Sequence, residues 1–288
     1  MSLREHVPWW GKIAAKIVLS RLGIQYATFQ KLGLFRHGFM DSAQYVQDVF
    51  KTHVERAELT GQLTGKTILE IGPGDGIGTA LLAYAHGACA ILIDTGRYAG
   101  SNIQLYRELV ASLASEGLRK PPIEHAKTVD EIVTACNARY LTLGLRGWVE
   151  VQDASIDLIF SQAVLEHIRR PEFEPLLREC RRVLKPGGIC SHRIDLADHL
   201  GGGLNNLRFS RARWESRLFA DSGFYTNRLR YRQLLELFAN AGFAVTVTNV
   251  DRWKALPIRR AQLAPEFRNM PDDELCVSGF DVILLKLA

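Results

Sequence analysis

No apolar run in this 288-residue sequence approaches the ~20 residues needed to cross a bilayer. Nor does its start show the apolar segment and small-residue cleavage site of a secretory signal. The five cysteines, Cys89, Cys136, Cys180, Cys190 and Cys276, form no C-x-x-C pair. That spacing argues for reduced core thiols and against a disulfide frame or a zinc site. Internal repeats and low-complexity tracts are absent. No charge of one sign dominates: 36 Lys and Arg against 31 Asp and Glu leave +5, which bears on partners and solubility rather than fold. The dinucleotide fingerprint G-x-G-x-x-G is missing too. From Gly72 its third glycine would be Ile77, and from Gly74 it would be Thr79. A globular, cytoplasmic protein with ample core is the expectation.

What is present centres on residues 67–79. Thr67-Ile68-Leu69 is an aliphatic run that ends in Glu70-Ile71, after which Gly72, Gly74, Gly76 and Gly78 alternate with other residues. The pattern predicts a buried parallel strand, a tight turn and a helix start. Glycine is needed where the backbone takes positive φ or approaches a ligand closely. The helix N-terminus behind the turn offers free N–H groups to the same space.

Around this stretch the chain alternates. Residues 1–62 read as a helical cap, with an amphipathic helix over 11–22 and a second over 42–58. The first carries Ile13, Ile17 and Val18 on one face and Lys12, Lys16 and Arg21 on the other. It is expected to pack over the mouth of the main domain; a membrane-surface role is the weaker alternative. Strands follow at 67–70, 89–94, 139–142, 155–162, 189–194, 243–251 and 279–287, with helices between them and one at 231–241. The second strand ends in Asp94, and two carboxylate oxygens there match two adjacent hydroxyl donors.

Three segments resemble the class I S-adenosylmethionine (SAM) methyltransferases, of the broad type 11 group. They are the acid-x-G-x-G-x-G of Glu70 to Gly76, the run Ile156-Asp157-Leu158-Ile159 leading to Leu165-Glu166-His167, and Val183-Leu184-Lys185-Pro186-Gly187-Gly188. The resemblance implies an α/β, Rossmann-like, doubly wound seven-stranded mixed sheet whose last strand is antiparallel, spanning 63–288. It implies SAM as cofactor, with S-adenosylhomocysteine as product. By the same resemblance the cofactor is held by Glu70, Gly72, Pro73, Gly74, Asp75, Gly76, Asp94 and Thr95, with Ser161 and Gln162 at the tip of strand four. Family members often place an acid against the adenine; none is obvious here, and Leu143 and Gly144 are the candidates, with Asp153 as the alternative.

Chemistry at the acceptor is read from the histidines. His167 is a candidate base, since imidazole titrates near neutrality. Asp195 and His199 lie where strand five opens, and an Asp–His pair can orient a base. Ubiquinone-pathway O-methyltransferases, which have a similar element, use two acids and the histidine to hold a divalent ion. Here Gln162 occupies the first acid position, so no metal is expected. From 208 to 232, seven arginines face two acids, a balance of 7 − 2 = +5. Phe209, Trp214, Phe219, Phe224 and Tyr225 interleave with them. An insertion at about 199–230 is therefore expected to act as a substrate lid, and an acceptor with an acidic group is one expectation. A solvated arginine-rich lid is its rival. Nucleic acid is not expected: neither an Asn/Asp-Pro-Pro-aromatic signature nor a Pro-Cys nucleophile is present. The expected partner is a small molecule; a SAM-dependent cyclase or a non-catalytic SAM-binding protein is the alternative.

Overall fold

The computed structural model describes residues 8–19 and 42–287. Arg21, counted above in a basic face, lies outside them. The apolar runs between glycines become seven strands: β1 Thr67–Ile71, β2 Cys89–Ile93, β3 Arg139–Leu141, β4 Ile156–Gln162, β5 Leu184–Asp195, β6 Phe243–Arg252 and β7 Val277–Lys286. They form one sheet in the order β3-β2-β1-β4-β5-β7-β6. All neighbouring pairs from β3 to β5 are parallel, and β7 runs antiparallel to both β5 and β6. The expected mixed sheet is thus the observed one. Its strand order reverses between β1 and β4, which opens a crevice at their carboxyl ends.

Strand alternation sorts the core into two layers. Ile68, Leu92, Leu158 and Phe160 face one side, under helices α2 (Ala43–Arg56), α3 (Gly78–Ala85), α4 (Ile103–Ser115) and α5 (Val129–Ala135). Leu69, Ile71, Ile93 and Ile159 face the other, under α6 (Arg170–Val183) and α7 (Tyr231–Asn240). Helix α3 contains little besides glycine, alanine, leucine and threonine, and nearly all of it is buried. This lets α2 come very close: a Cβ on Gly78 would sit 2.4 Å from Val46 Cγ1. Ser42 caps α2 by accepting from the Tyr45 N–H. Its buried stripe is Val46, Val49, Phe50, His53 and Val54, the spacing of a core-facing helix. His53 is the one polar member, and it is fully buried.

The first helix, α1 (Trp9–Leu19), packs on the insertion. Ile13 joins Leu200, Trp214, Phe219, Ala220, Phe224 and Tyr225 in a small core, with Trp9, Ile17 and Phe209 against it. Lys16 donates to the carbonyls of His199 and Gly223. Among the described residues no helix is long and apolar enough to cross a membrane.

In the insertion the aromatics fill that core. Arg230 is buried and donates to the carbonyls of Leu196, Glu274, Leu275 and Val277. Arg228, also buried, donates to Asn206 and Phe209 carbonyls and lies over the Trp214 ring. Arg232 pairs with Asp273, and Arg213 covers Phe209 and Phe219. Guanidinium forks here satisfy backbone groups of a segment with little regular structure, which must be paired once buried.

Candidate active site

The turn after β1 does what its glycines suggested. Gly72 and Gly74 have φ of +69° and +61°, and a Cβ on Gly72 would meet Val164 at 2.7 Å. The β1 turn and the chain leaving β4 are therefore in direct contact. Beneath the turn, Glu70 is buried, and burial pushes its carboxyl up to about 8 although Thr79 hydrogen-bonds it. Its Oε2 has no hydrogen-bond partner among the described residues. Asp94, half-buried, accepts from the Gly74 N–H at 3.0 Å and the Thr95 N–H at 2.7 Å. The acid at the β2 tip thus braces the glycine turn. The Asp94 carbonyl in turn accepts from Gly144, whose φ is +55° beside Thr95. Pro73, Asp75 and Gly76 complete the turn, with the Asp75 carbonyl accepting from Gly100. Leu143 stands exposed at the rim.

The tip of β4 divides the two residues expected there. Ser161 is fully buried, with Oγ 2.8 Å from His192 Nδ1. Gln162 points toward α2, where its Oε1 lies 3.1 Å from His53 Nε2. The next residue, Ala163, turns the chain at φ +54°, a conformation rare outside glycine. That turn delivers the short 3₁₀ segment Leu165–His167 to the end of the sheet.

Asn227 holds this segment from behind. Its Nδ2 donates to the carbonyls of Leu165 and Ile168, at 2.8 and 2.9 Å, and its backbone N–H donates to the Glu166 carbonyl. His167 is thereby pinned, and its Nδ1 lies 2.9 Å from the Tyr225 carbonyl. A carbonyl only accepts, so Nδ1 carries the proton and Nε2 keeps its lone pair. The loop after β5 brings His199 to meet it. Asp198 builds that loop, its carboxylate accepting from the backbone N–H groups of Leu200 and Asn205. The two imidazoles stack, centroids 4.8 Å apart, with Nε2 to Nε2 at 3.1 Å.

This corrects the expected Asp195–His199 pair. Asp195 Oδ1 accepts from the Ala197 N–H instead, and burial raises its carboxyl above the usual range. Glu166 is buried, and burial raises its carboxyl well above the ordinary value although backbone groups of Glu166 and Asp195 partly offset it. Glu166, His167 and His199 bring one ligand atom each to within 4.8 Å of one another, a set that can also hold a divalent ion. Gln162, the residue on which the metal reading turned, is engaged elsewhere.

Sequence reasoning missed His53, and it gave Asn227 no role in holding the segment after β4. One signal pointed to His53: it falls on the apolar stripe of α2, where a histidine must find buried partners.

Residues 43–248 match the family model described as a methyltransferase domain. The chain belongs to that family. Among solved structures, the methyltransferase resembles the carbon methyltransferase of CurJ at 16% identity over 88% of this chain and 57% of that one, with a TM-score of 0.42. An arsenic(III) SAM methyltransferase from Chlamydomonas reinhardtii aligns at 16% identity over 78% and 64%, TM-score 0.42. Phosphoethanolamine N-methyltransferase 2 from Haemonchus contortus, in complex with SAM, aligns at 16% over 78% and 49%, TM-score 0.43. The methyltransferase thus spans less than two thirds of each of these three chains. At such identities they carry no conclusion about its acceptor.

Proposed function

We propose that this methyltransferase moves a methyl group from SAM to a small-molecule acceptor in the crevice between β1 and β4. The observation that carries this reading is a juxtaposition. A glycine turn, a strand-tip acid and a histidine pair all stand at the carboxyl end of one sheet, where its strand order reverses. The residues fit the cofactor: two glycines at positive φ keep the turn free of side chains, and Asp94 offers two oxygens to a diol. Glu70 leaves a buried oxygen beneath the turn. Pro73, Asp75, Gly76, Thr95, Leu143, Gly144 and Gln162 are the remaining proposed contacts.

When bound, SAM supplies a methyl group that is already electrophilic. The chain's own task is to orient the acceptor and, for a protonated acceptor, to take its proton. His167 Nε2 is the proposed base: its tautomer is set by Tyr225, and its lone pair faces His199. A hydroxyl or amine docking between the rings would replace the His199 contact and give its proton to His167. Asp195, near His167, favours the imidazolium that results. No metal takes part in this reading. The helical cap over 1–62 and the insertion at 199–230 are the proposed boundaries of the acceptor pocket. With Arg228 and Arg230 holding backbone carbonyls, the insertion lends an acidic acceptor less support.

The test is incubation with SAM and an acceptor panel, read as S-adenosylhomocysteine release and a one-methyl mass increase in the acceptor. Cofactor turnover without that mass increase would refute methyl transfer.

A further inference from the structure

The cap helix α2 lies outside the strand–helix alternation, yet it places a fully buried histidine against the crevice. His53 Nδ1 lies 2.7 Å from Ser191 Oγ on β5, and its Nε2 lies 3.1 Å from Gln162 Oε1 on β4. Its ring is stacked on Phe160, centroids 4.9 Å apart and 26° between planes. Burial holds the imidazole neutral, pushed down to about 4, so it carries one N–H. An amide oxygen only accepts, so that N–H is on Nε2 and the Ser191 hydroxyl donates to Nδ1. Every degree of freedom of the ring is therefore set, and so is the half of the Gln162 amide that faces it. The NH₂ half of the amide is turned away from α2.

What that NH₂ meets follows from the sheet. Neighbouring strands stand ~4.8 Å apart. In the order β3-β2-β1-β4, a cofactor with its ribose on Asp94 of β2 and its base toward Gly144 after β3 has used two strands. The remainder of the molecule, an amino-acid tail bearing a carboxylate, would then reach across the glycine turn of β1 toward the tip of β4. Gln162 is the last residue of β4, and Val164 just beyond it touches Gly72. An amide NH₂ at that place is a donor for a carboxylate.

We propose that Gln162 binds the carboxylate of the cofactor's amino-acid tail, and that His53 is a positioning residue that holds the Gln162 amide with its donors toward that carboxylate. The proposal rests on the SAM reading above and assigns α2 a function in cofactor selection. It separates the tail from the nucleoside, and two probes differ by that tail alone. S-adenosylhomocysteine carries it; 5′-methylthioadenosine has a methyl in its place.

Calorimetric affinities for both probes, on the wild type, His53→Phe, His53→Gln and Gln162→Leu, decide the matter. His53→Phe keeps the stack on Phe160 and removes both hydrogen bonds. His53→Gln restores a donor near the lost Nε2. Gln162→Leu alters only a half-exposed side chain and serves if His53→Phe does not fold. Expected is a tenfold or greater weakening of S-adenosylhomocysteine by His53→Phe and Gln162→Leu. Their affinity for 5′-methylthioadenosine should stay within twofold of the wild type, and His53→Gln should recover part of the loss. Equal weakening of both probes would reduce His53 and Gln162 to structural parts, and unchanged S-adenosylhomocysteine affinity would remove the carboxylate contact. If the wild type binds neither probe, it is the SAM reading that has failed, and this proposal falls with it.

Discussion

His167 and His199, 32 residues apart in sequence, face each other with Nε2 atoms 3.1 Å apart and rings nearly parallel. Because the Tyr225 carbonyl fixes the His167 proton on Nδ1, His199 must be the donor across the pair when both rings are neutral. An acceptor's X–H group could take the place of that donor. The pair is thus a lone pair held ready behind a replaceable partner, and this geometry gives the first prediction.

His167→Ala should lower turnover by ~10²–10⁴, the usual range for a general base. S-adenosylhomocysteine affinity, measured by calorimetry, should not move. His199→Ala should cost less, because it removes the partner and not the base. Equal losses from the two variants would assign the proton to the pair as a unit.

At the glycine turn, Gly72→Val combines a positive φ with a clash against Val164. A β-branched residue in that region costs ~1–3 kcal/mol, and the turn must move. Cofactor affinity should be lost while far-ultraviolet circular dichroism stays that of the wild type. Asp94→Ala should weaken binding by ~1–3 kcal/mol through lost ribose hydrogen bonds; undiminished affinity in either variant would place the cofactor elsewhere.

Arg230 should prove structural. Arg230→Met leaves the carbonyls of Leu196, Leu275 and Val277 without a buried donor. Each orphaned group costs ~1–3 kcal/mol, so denaturant unfolding should show a loss of several kcal/mol. The relative rates of acidic and neutral acceptors should be unchanged in whatever folded protein remains.

Stability should depend on pH with two opposite signs. His53 and His192 are pushed down by burial to about 4 and about 3, whereas the unfolded chain binds those protons near 6.5. Their contribution is present above that value and fades as pH falls toward 4, by ~1.4 kcal/mol per unit for each ring. Glu70 behaves in reverse. With a folded value near 8 and an unfolded one of 4.5, its contribution is full below 4.5 and is lost as pH rises to about 8. Thermal melts of the ligand-free Glu70→Gln variant should therefore gain on the wild type steadily between those limits. A gap that does not change with pH would contradict the burial assigned to Glu70.

Exhaustive dialysis against EDTA should leave turnover unchanged. A loss restored by one divalent ion would instead put a metal on Glu166, His167 and His199.

The closing antiparallel strand was implied by the family resemblance, whereas the sequence alone determined the sheet's parallel run, the glycine turn and the acids at the tips of β1 and β2. Each is a matter of contiguous residues: two-residue and 3.6-residue periodicities, or turn chemistry that acts within a few positions. It also showed that residues 208–232 are rich in arginine, but not what those arginines touch. Tertiary structure decided that Arg228 and Arg230 hold backbone carbonyls, that Ser161 turns to His192, and that His199 meets His167 and not Asp195. It also joined His53 to Gln162 across 109 positions. Such pairings depend on how α2 and the insertion pack on the sheet ends. There the requirement that every buried polar group find a partner selects among neighbours that chain order does not specify.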